Sequence, residues 1–290
     1  MQNNIFCFNC ESLEEIEVIN ELAGKLNKKA NIALRINPNV NANTHKYITT
    51  GLEENKFGIS ISQLPAVCDA INHFQNINLT GIHFHIGSQI TDLSSFTALC
   101  NRVNEMQRWF SQRGIELKVI NVGGGLGIDY HHPDEKPIAD FSGYFKLFNQ
   151  FLELQPEQQV HFELGRSIVA QCGNLITRVL YVKRGVNTNF AICDAGMTEL
   201  IRPALYQSYH KIENLSAKQR NEKQTENYDV VGPVCESSDY FGKRVELPLT
   251  KRGDIIAIRS AGAYGEVMAS NYNLRESVKS YFDSVIPVTY

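Results

Sequence analysis

The sequence predicts an α/β half followed by a mostly β half, and three observations carry that expectation. Before Arg166, apolar runs alternate with amphipathic stretches five times in order. Strand-then-helix units repeated in this way imply parallel strands joined by crossover helices. After Arg166 the apolar runs are β-branched and separated by turns rather than by helical stretches. Glycine turns at Gly123 to Gly125 and at Gly165 follow the fourth and fifth runs, and glycine lets backbone N–H groups come close to a ligand. A closed (β/α)8 barrel needs eight units. The first half therefore reads as an open sheet or as a partial (β/α)8 barrel of about five of the eight strands, with boundaries expected at 1–166 and 167–290.

Ile5 to Phe8 reads as a buried strand. Ser12 with Glu15 forms a capping box ahead of Leu13, Ile16, Ile19, Leu22, Ala23 and Leu26, which recur at helical spacing. Ile32, Leu34 and Ile36 alternate with Ala33, Arg35 and Asn37 in a second strand that Pro38 stops. A polar loop, Asn39 to Lys56, precedes a helix near Ser62 to His73 with Pro65 in its first turns. In the third strand, Gly81 to Ile86, the residues Ile82, Phe84 and Ile86 face one side, and His83 and His85 the other. Phe96, Leu99, Val103, Met106 and Phe110 mark a helix closed by Gly114. Leu117 to Val122 is the fourth strand, and a helix around Tyr144 to Leu154 leads to the fifth, Val160 to Leu164. Beyond it, Ile168 to Val182, Asn189 to Asp194, Tyr228 to Val231 and Asp254 to Ser260 read as strands. Ser216 to Asn227, rich in lysine and glutamine, reads as an exposed loop or mobile flap.

The 290 residues suffice for a large core, and the net charge of −3 comes with scattered lysines and arginines. That pattern argues against a nucleic-acid or anionic membrane surface. No apolar run approaches the ~20 residues that span a bilayer. A cytoplasmic protein that takes a small molecule or a second copy of itself is the expectation. Seven cysteines at irregular spacing argue against a disulfide framework. Cys7 and Cys10 form a CxxC with no second pair, His131 and His132 are adjacent, and no His-x-x-x-His occurs. No metal site is expected. Ser88 and Ser167 lack the Gly-x-Ser-x-Gly elbow of hydrolases. Barrel enzymes build their sites at the C-terminal ends of strands, which selects His85 beside Gly87 and Ser88, the row Gly123 to Gly125, and Glu163, Gly165 and Arg166. His83 reads as a core residue.

Six blocks then carry a resemblance: HFHIGSQI from His83, NVGGGLGIDY from Asn121, ELGRSIVA from Glu163, DAGMTELIRPALY from Asp194, GPVCESSD from Gly232 and AGAYGEVMASNYN from Ala261. In their order and span they resemble the diaminopimelate decarboxylase family, which belongs to the alanine racemase-like, fold-type III enzymes that use pyridoxal phosphate. The resemblance implies a barrel followed by a β-domain, acting as a homodimer. It implies that Gly123, Gly124 and Gly125, with the backbone of Gly165 and Arg166, cradle the cofactor phosphate. Glu163 would meet the pyridine nitrogen, His85 would stack on the ring, and Ser88 would hydrogen-bond nearby. Tyr264 would touch both phosphate and substrate. Arg166, Arg202 and Tyr206 would clamp the distal carboxylate, a task suited to a forked guanidinium. Cys235 would reprotonate the α-carbon in the neighbouring subunit's site, and Glu236 would bind the distal amino group. The implied reaction is decarboxylation of meso-2,6-diaminopimelate to L-lysine.

The sequence departs from the family in two places. The lysine that anchors the cofactor on the first barrel strand has no counterpart here, since Lys56 in NKFGI matches a different position. Leu164 stands where the family has proline before Gly-Arg. The chain is thus expected to hold the C-terminal portion of such an enzyme. A non-catalytic decarboxylase-like binding partner is the alternative that the missing lysine favours; retention of Cys235, Glu236, Glu163 and Arg202 disfavours it. A related ornithine- or arginine-type decarboxylase is disfavoured by CESSD and RPALY.

Overall fold

Alternation of polar and apolar residues along the first five strands sets which groups can meet, because successive side chains of a strand point to opposite faces. The computed structural model describes residues 3–39 and 56–282. These form two compact units, Met1–Ile128 with Ile138–Ile168, and Asp129–Pro137 with Val169–Tyr290.

The first unit runs β1 (Phe8–Cys10), α1 (Leu13–Lys25), β2 (Ala30–Arg35), α2 (Leu64–Ile71), β3 (Ile77–His83), α3 (Ser94–Ser111), β4 (Val119–Asn121), α4 (Phe141–Phe151), β5 (Gln159–His161) and α5 (Arg166–Val169). The strands pair in parallel in chain order, β1-β2-β3-β4-β5. Register sets Arg35 beside His83, His83 beside Asn121, and Asn121 beside His161. One polar row therefore crosses the sheet near the strand ends. Two residues further along, the same face carries His85, Gly123 and Glu163. The opposite face, with Ile32, Leu34, Ile82, Phe84, Ile120 and Val122, joins the buried residues of the helices in one apolar core. Within that core Phe96 is fully buried and meets the Tyr144 ring edge-on at 4.9 Å. Burial of a side chain of that size is worth about 1.5–3 kcal/mol.

The capping box of α1 forms with a shift of one residue. Ser12 Oγ accepts from Glu15 N–H, while the Glu15 carboxylate accepts from Glu11 N–H instead of from the cap itself. The first strand differs more from expectation: it is Phe8–Cys10, and Ile5 and Phe6 are exposed. Asn31 Nδ2 donates to the Phe6 carbonyl, which occupies an acceptor a ladder would use, and the Phe6 ring lies 5.1 Å from that of His161. Of the expected loop Asn39 to Lys56, residues 40–55 lie outside the described residues; the Lys56 ammonium lies 5.0 Å over the Phe57 ring.

The second unit contains β6 (Leu175–Arg184), β7 (Asn189–Cys193), α6 (Arg202–Tyr206), β8 (Ile212–Asn214), α7 (Leu215–Gln219), β9 (Thr225–Val231), β10 (Tyr240–Pro248) and β11 (Ile255–Ile258). They form one mixed sheet of order β10-β9-β7-β6-β11-β8, antiparallel except between β7 and β9. Its core holds Val179, Ala191, Tyr228, Val230 and Ile256, all fully buried. The outer strands approach each other: a methyl added at Gly242 of β10 would stand 3.1 Å from Ile212 Cδ1 of β8.

Three expectations need correction here. Ile168 to Cys172 is helical rather than strand, because Ile168 N–H turns back to the Gly165 carbonyl and a 3-10 turn follows at Ala170–Cys172. Of the expected loop Ser216 to Asn227, residues 216–219 belong to α7 and 225–227 to β9, and only 220–224 form a mostly exposed connecting turn. Asn214 Oδ1 caps Ala217 N–H, and Arg220 pairs with Asp254 at 2.6 Å, which ties the segment down. Strand β10 has no counterpart among the expected strands, since its register shifts at Gly242 and again before Val245 and so hides the period of two.

Candidate active site

The polar face of the first unit converges on Glu163. Its Oε1 accepts from Asn121 Nδ2 at 2.8 Å and Asn9 Nδ2 at 3.1 Å, and its Oε2 from His83 Nε2 at 3.2 Å. The hydrogen bond from His83 holds the carboxyl down to about 2, with Asn121 adding to it and partial burial opposing it. Glu163 is therefore an anion with a fixed direction. His83 is buried as expected, but it is a partner of this carboxylate rather than a satisfied core residue. Its Nδ1 is buried without a hydrogen-bond partner among the described residues.

His85 is held differently. Gly124 N–H donates to its Nδ1 at 3.2 Å, so the neutral ring carries its proton on Nε2. Burial, reinforced by the Arg35 charge, lowers its pKa to about 4. A neutral imidazole results. Arg35 itself pairs with Glu11 and lies 4.8 Å over the Phe57 ring. The sequence does not single out Arg35, Asn121 or Asn9; the available signal is an arginine beside the apolar residues Ile32, Ala33 and Leu34 of the second strand.

Glycine is required at Gly123, where φ is +70° and an added Cβ would stand 2.2 Å from the Phe84 carbonyl. Gly123 N–H donates to Asn121 Oδ1 and its carbonyl accepts from Glu163 N–H. The first two N–H groups of the row are thus engaged within the protein, and the Gly125 carbonyl accepts from Ile90 N–H. Gly165 is exposed ahead of α5. Arg166, 6% exposed, donates from Nε and Nη2 to Ser88 Oγ at 3.3 and 3.1 Å. With both contacts arriving at its lone pairs, the Ser88 hydroxyl keeps its proton to donate.

The second unit presents the remaining residues. Arg202 is 4% exposed at the start of α6; its Nη1 donates to Tyr130 Oη and His210 Nε2, each at 2.9 Å, and its Nη2 to Ser208 Oγ at 3.3 Å. Tyr206 ends the same short helix, half-buried. Tyr130 comes from Asp129–Pro137, which belongs to this unit because Asp134 pairs with Arg259 and Lys211 at 2.8 Å each. Cys235 is an exposed free thiol, whereas Cys10, Cys68, Cys100 and Cys193 are buried. Its loop is held by Asp239, which accepts from Val234 N–H and Met197 N–H at 2.6 Å each. The neighbouring Glu236 accepts from Tyr272 Oη at 2.6 Å. Tyr264 is 42% exposed at positive φ, +56°.

Residues 1–170 match the family model described as the pyridoxal binding domain of pyridoxal-dependent decarboxylases. The chain is 59% identical over 281 residues to a diaminopimelate decarboxylase of Bacteroides thetaiotaomicron, covering 97% of this chain and 72% of that protein. It is 45% identical to the Haemophilus influenzae diaminopimelate decarboxylase, over 95% of this chain and 65% of that one. A crystal structure of diaminopimelate decarboxylase from Helicobacter pylori, complexed with L-lysine, superposes with a TM-score of 0.85 at 40% identity, covering 93% of this chain and 66% of that chain. The chain thus spans about two thirds of the length of these relatives. With the pyridoxal-binding model matched over more than half of its residues and this identity sustained through both units, the chain belongs to the diaminopimelate decarboxylase family of pyridoxal-dependent decarboxylases.

Proposed function

We propose that this chain carries the cofactor cradle and substrate clamp of an enzyme that converts meso-2,6-diaminopimelate to L-lysine and carbon dioxide, acting as a cytoplasmic homodimer. The observation that carries the reading is Glu163, an ionised carboxylate aimed by Asn9, His83 and Asn121. A carboxylate kept charged suits a pyridinium nitrogen, a neutral His85 suits a ring face, and the Ser88 hydroxyl suits a phosphate. The residues present fit pyridoxal phosphate. Bound there, the cofactor supplies an electron sink for the pair of electrons left when carbon dioxide departs.

Glu163 holds the proton on the pyridine nitrogen by remaining ionised below neutral pH. Ser88, Gly125 and the backbone of Gly165 and Arg166 bind the phosphate, leaving Gly123 and Gly124 to shape the turn. Tyr264 contacts phosphate and substrate. Arg202 and Tyr206 bind the distal carboxylate, and Glu236 binds the distal amino group. Cys235 Sγ delivers a proton to the α-carbon in the partner subunit's site. The anchoring amine is assigned to residues other than those of this sequence.

The test is to incubate the purified chain with pyridoxal phosphate, reduce with borohydride, map modified lysines by mass spectrometry, and measure carbon dioxide release from meso-diaminopimelate. Release is expected only when the remaining barrel strands, with their lysine, are joined to the chain. Stoichiometric labelling of one lysine with turnover by the chain alone would overturn the assignment of the amine. An assembled protein that binds the cofactor and leaves meso-diaminopimelate untouched would overturn the function.

A further inference from the structure

We propose that His210 is a positioning residue for carboxylate binding at Arg202, acting as a neutral acceptor that aims the guanidinium. The inference rests on Arg202 being the carboxylate clamp. His210 is 2% exposed, and its two ring nitrogens face partners of opposite kind. Nδ1 is 2.9 Å from the Arg259 carbonyl, which can only accept, so Nδ1 carries a proton. Nε2 is 2.9 Å from Arg202 Nη1, which can only donate, so Nε2 must offer a lone pair. One protonation state satisfies both: the neutral Nδ1–H tautomer.

The consequence falls on Arg202. Tyr130 Oη and His210 Nε2 take both hydrogens of Nη1, which fixes the plane of the guanidinium and assigns a bidentate carboxylate contact to its Nε–Nη2 edge. The Tyr130 ring meets the His210 ring edge-on at 5.1 Å and holds its tilt. The Arg202 guanidinium is bonded to the imidazole; Arg259 meets it through its carbonyl, with its own guanidinium paired to Glu213 and Asp134, and the adjacent Lys211 is paired with Asp134 and lies 3.8 Å from Glu213. A protonated His210 would turn a second donor and a like charge toward Arg202.

The tautomer is read from imidazole nitrogen resonances of the full chain labelled with nitrogen-15, the His210 signals being assigned by their loss in His210→Gln. The Nδ1–H neutral form is expected at neutral pH; an Nε2–H form or an imidazolium there overturns the proposal. Titration calorimetry then compares L-lysine with cadaverine, which is L-lysine without its carboxylate. The unsubstituted chain is expected to prefer L-lysine. His210→Leu should cut the preference by about tenfold, the size of one charge-assisted hydrogen bond. His210→Gln, which returns an amide oxygen toward Nη1, should restore it. A preference intact in His210→Leu overturns the role of His210 alone. Equal binding of both amines by the unsubstituted chain overturns the Arg202 clamp and this inference with it. His210→Leu can disturb a buried site as a whole, so the tautomer and the glutamine rescue decide independently of it.

Discussion

Asp239 offers a direct test of how the Cys235 loop is held. Its carboxylate is 4% exposed and receives two backbone N–H groups at 2.6 Å, from Val234 beside Cys235 and from Met197 in the preceding loop. Gly196 and Gly232 close over it so tightly that a Cβ on either would lie 2.7 and 2.5 Å from the carboxylate oxygens. Asp239→Ala strands both N–H groups in a space with no room for rearrangement. Each unpaired buried donor costs about 1–3 kcal/mol, so the total is about 2–6 kcal/mol. Burial pushes the Asp239 carboxyl up, with Glu199 adding to it, so removing the charge recovers part of that cost. A net loss of about 3 kcal/mol is expected. Asp239→Asn keeps one acceptor and turns an NH2 toward the other N–H, and should lose about half as much. Urea denaturation of the full chain gives the stability change, and hydrogen exchange at Val234 and Met197 localises it, accelerating about tenfold for each 1.4 kcal/mol lost. Unchanged midpoints and unchanged exchange at both amides would refute the reasoning.

Gly123→Ala should destabilise the chain by more than the about 1–2 kcal/mol of left-handed strain, because its Cβ meets the Phe84 carbonyl, whereas Gly114→Ala, at φ +71° with nothing within 4 Å, should cost only that strain; denaturant midpoints of the pair measure the difference. Glu163 has a folded pKa below its ordinary 4.5, so its bonds contribute stability present above that value and lost as pH falls toward about 2. The gap in thermal midpoint between the unsubstituted chain and Glu163→Gln should accordingly close across that window; a constant gap would contradict the ionised carboxylate. In the assembled enzyme, Cys235→Ala should lower kcat by about 10²-fold or more with KM little changed, the size of a lost proton donor, as steady-state kinetics with meso-diaminopimelate would show.

The parallel half was legible because its strands and helices have different periods. His83 and His85 alternating with Ile82, Phe84 and Ile86 announced a sheet with one apolar and one polar face. Which polar residues would meet was not legible. Arg35, His83, Asn121 and His161 share a row only through pairings between strands tens of residues apart. For the same reason the sequence does not place Asn9 and Asn121 beside Glu163, although it marks the glutamate itself. In the second unit, bulges broke the alternation of β10, and a cap at Asn214 with an ion pair from Arg220 ordered a stretch whose composition reads as loop. Composition records solubility, while an N-cap and one buried aspartate decide order. Asp129–Pro137 follows the glycine row without a break in the sequence; contacts such as the pairs from Asp134 to Arg259 and Lys211, and the bond between Tyr130 and Arg202, reveal that it belongs with the β sheet.

Glu163 and Asp239 show how environment separates two carboxylates into different tasks. Both accept hydrogen bonds on both oxygens, yet their titration moves in opposite directions. Glu163 is 43% exposed and faces a histidine, so its partners outweigh its burial penalty; what it offers is charge. Asp239 is buried beside Glu199 and between two glycines, so desolvation wins over the two N–H groups; what it offers is geometry. Replacing Glu163 by glutamine therefore removes the property that matters while sparing the shape, and replacing Asp239 by asparagine spares the shape only on one side. The first substitution should be felt in the pH dependence, and the second in the order of the loop that carries Cys235.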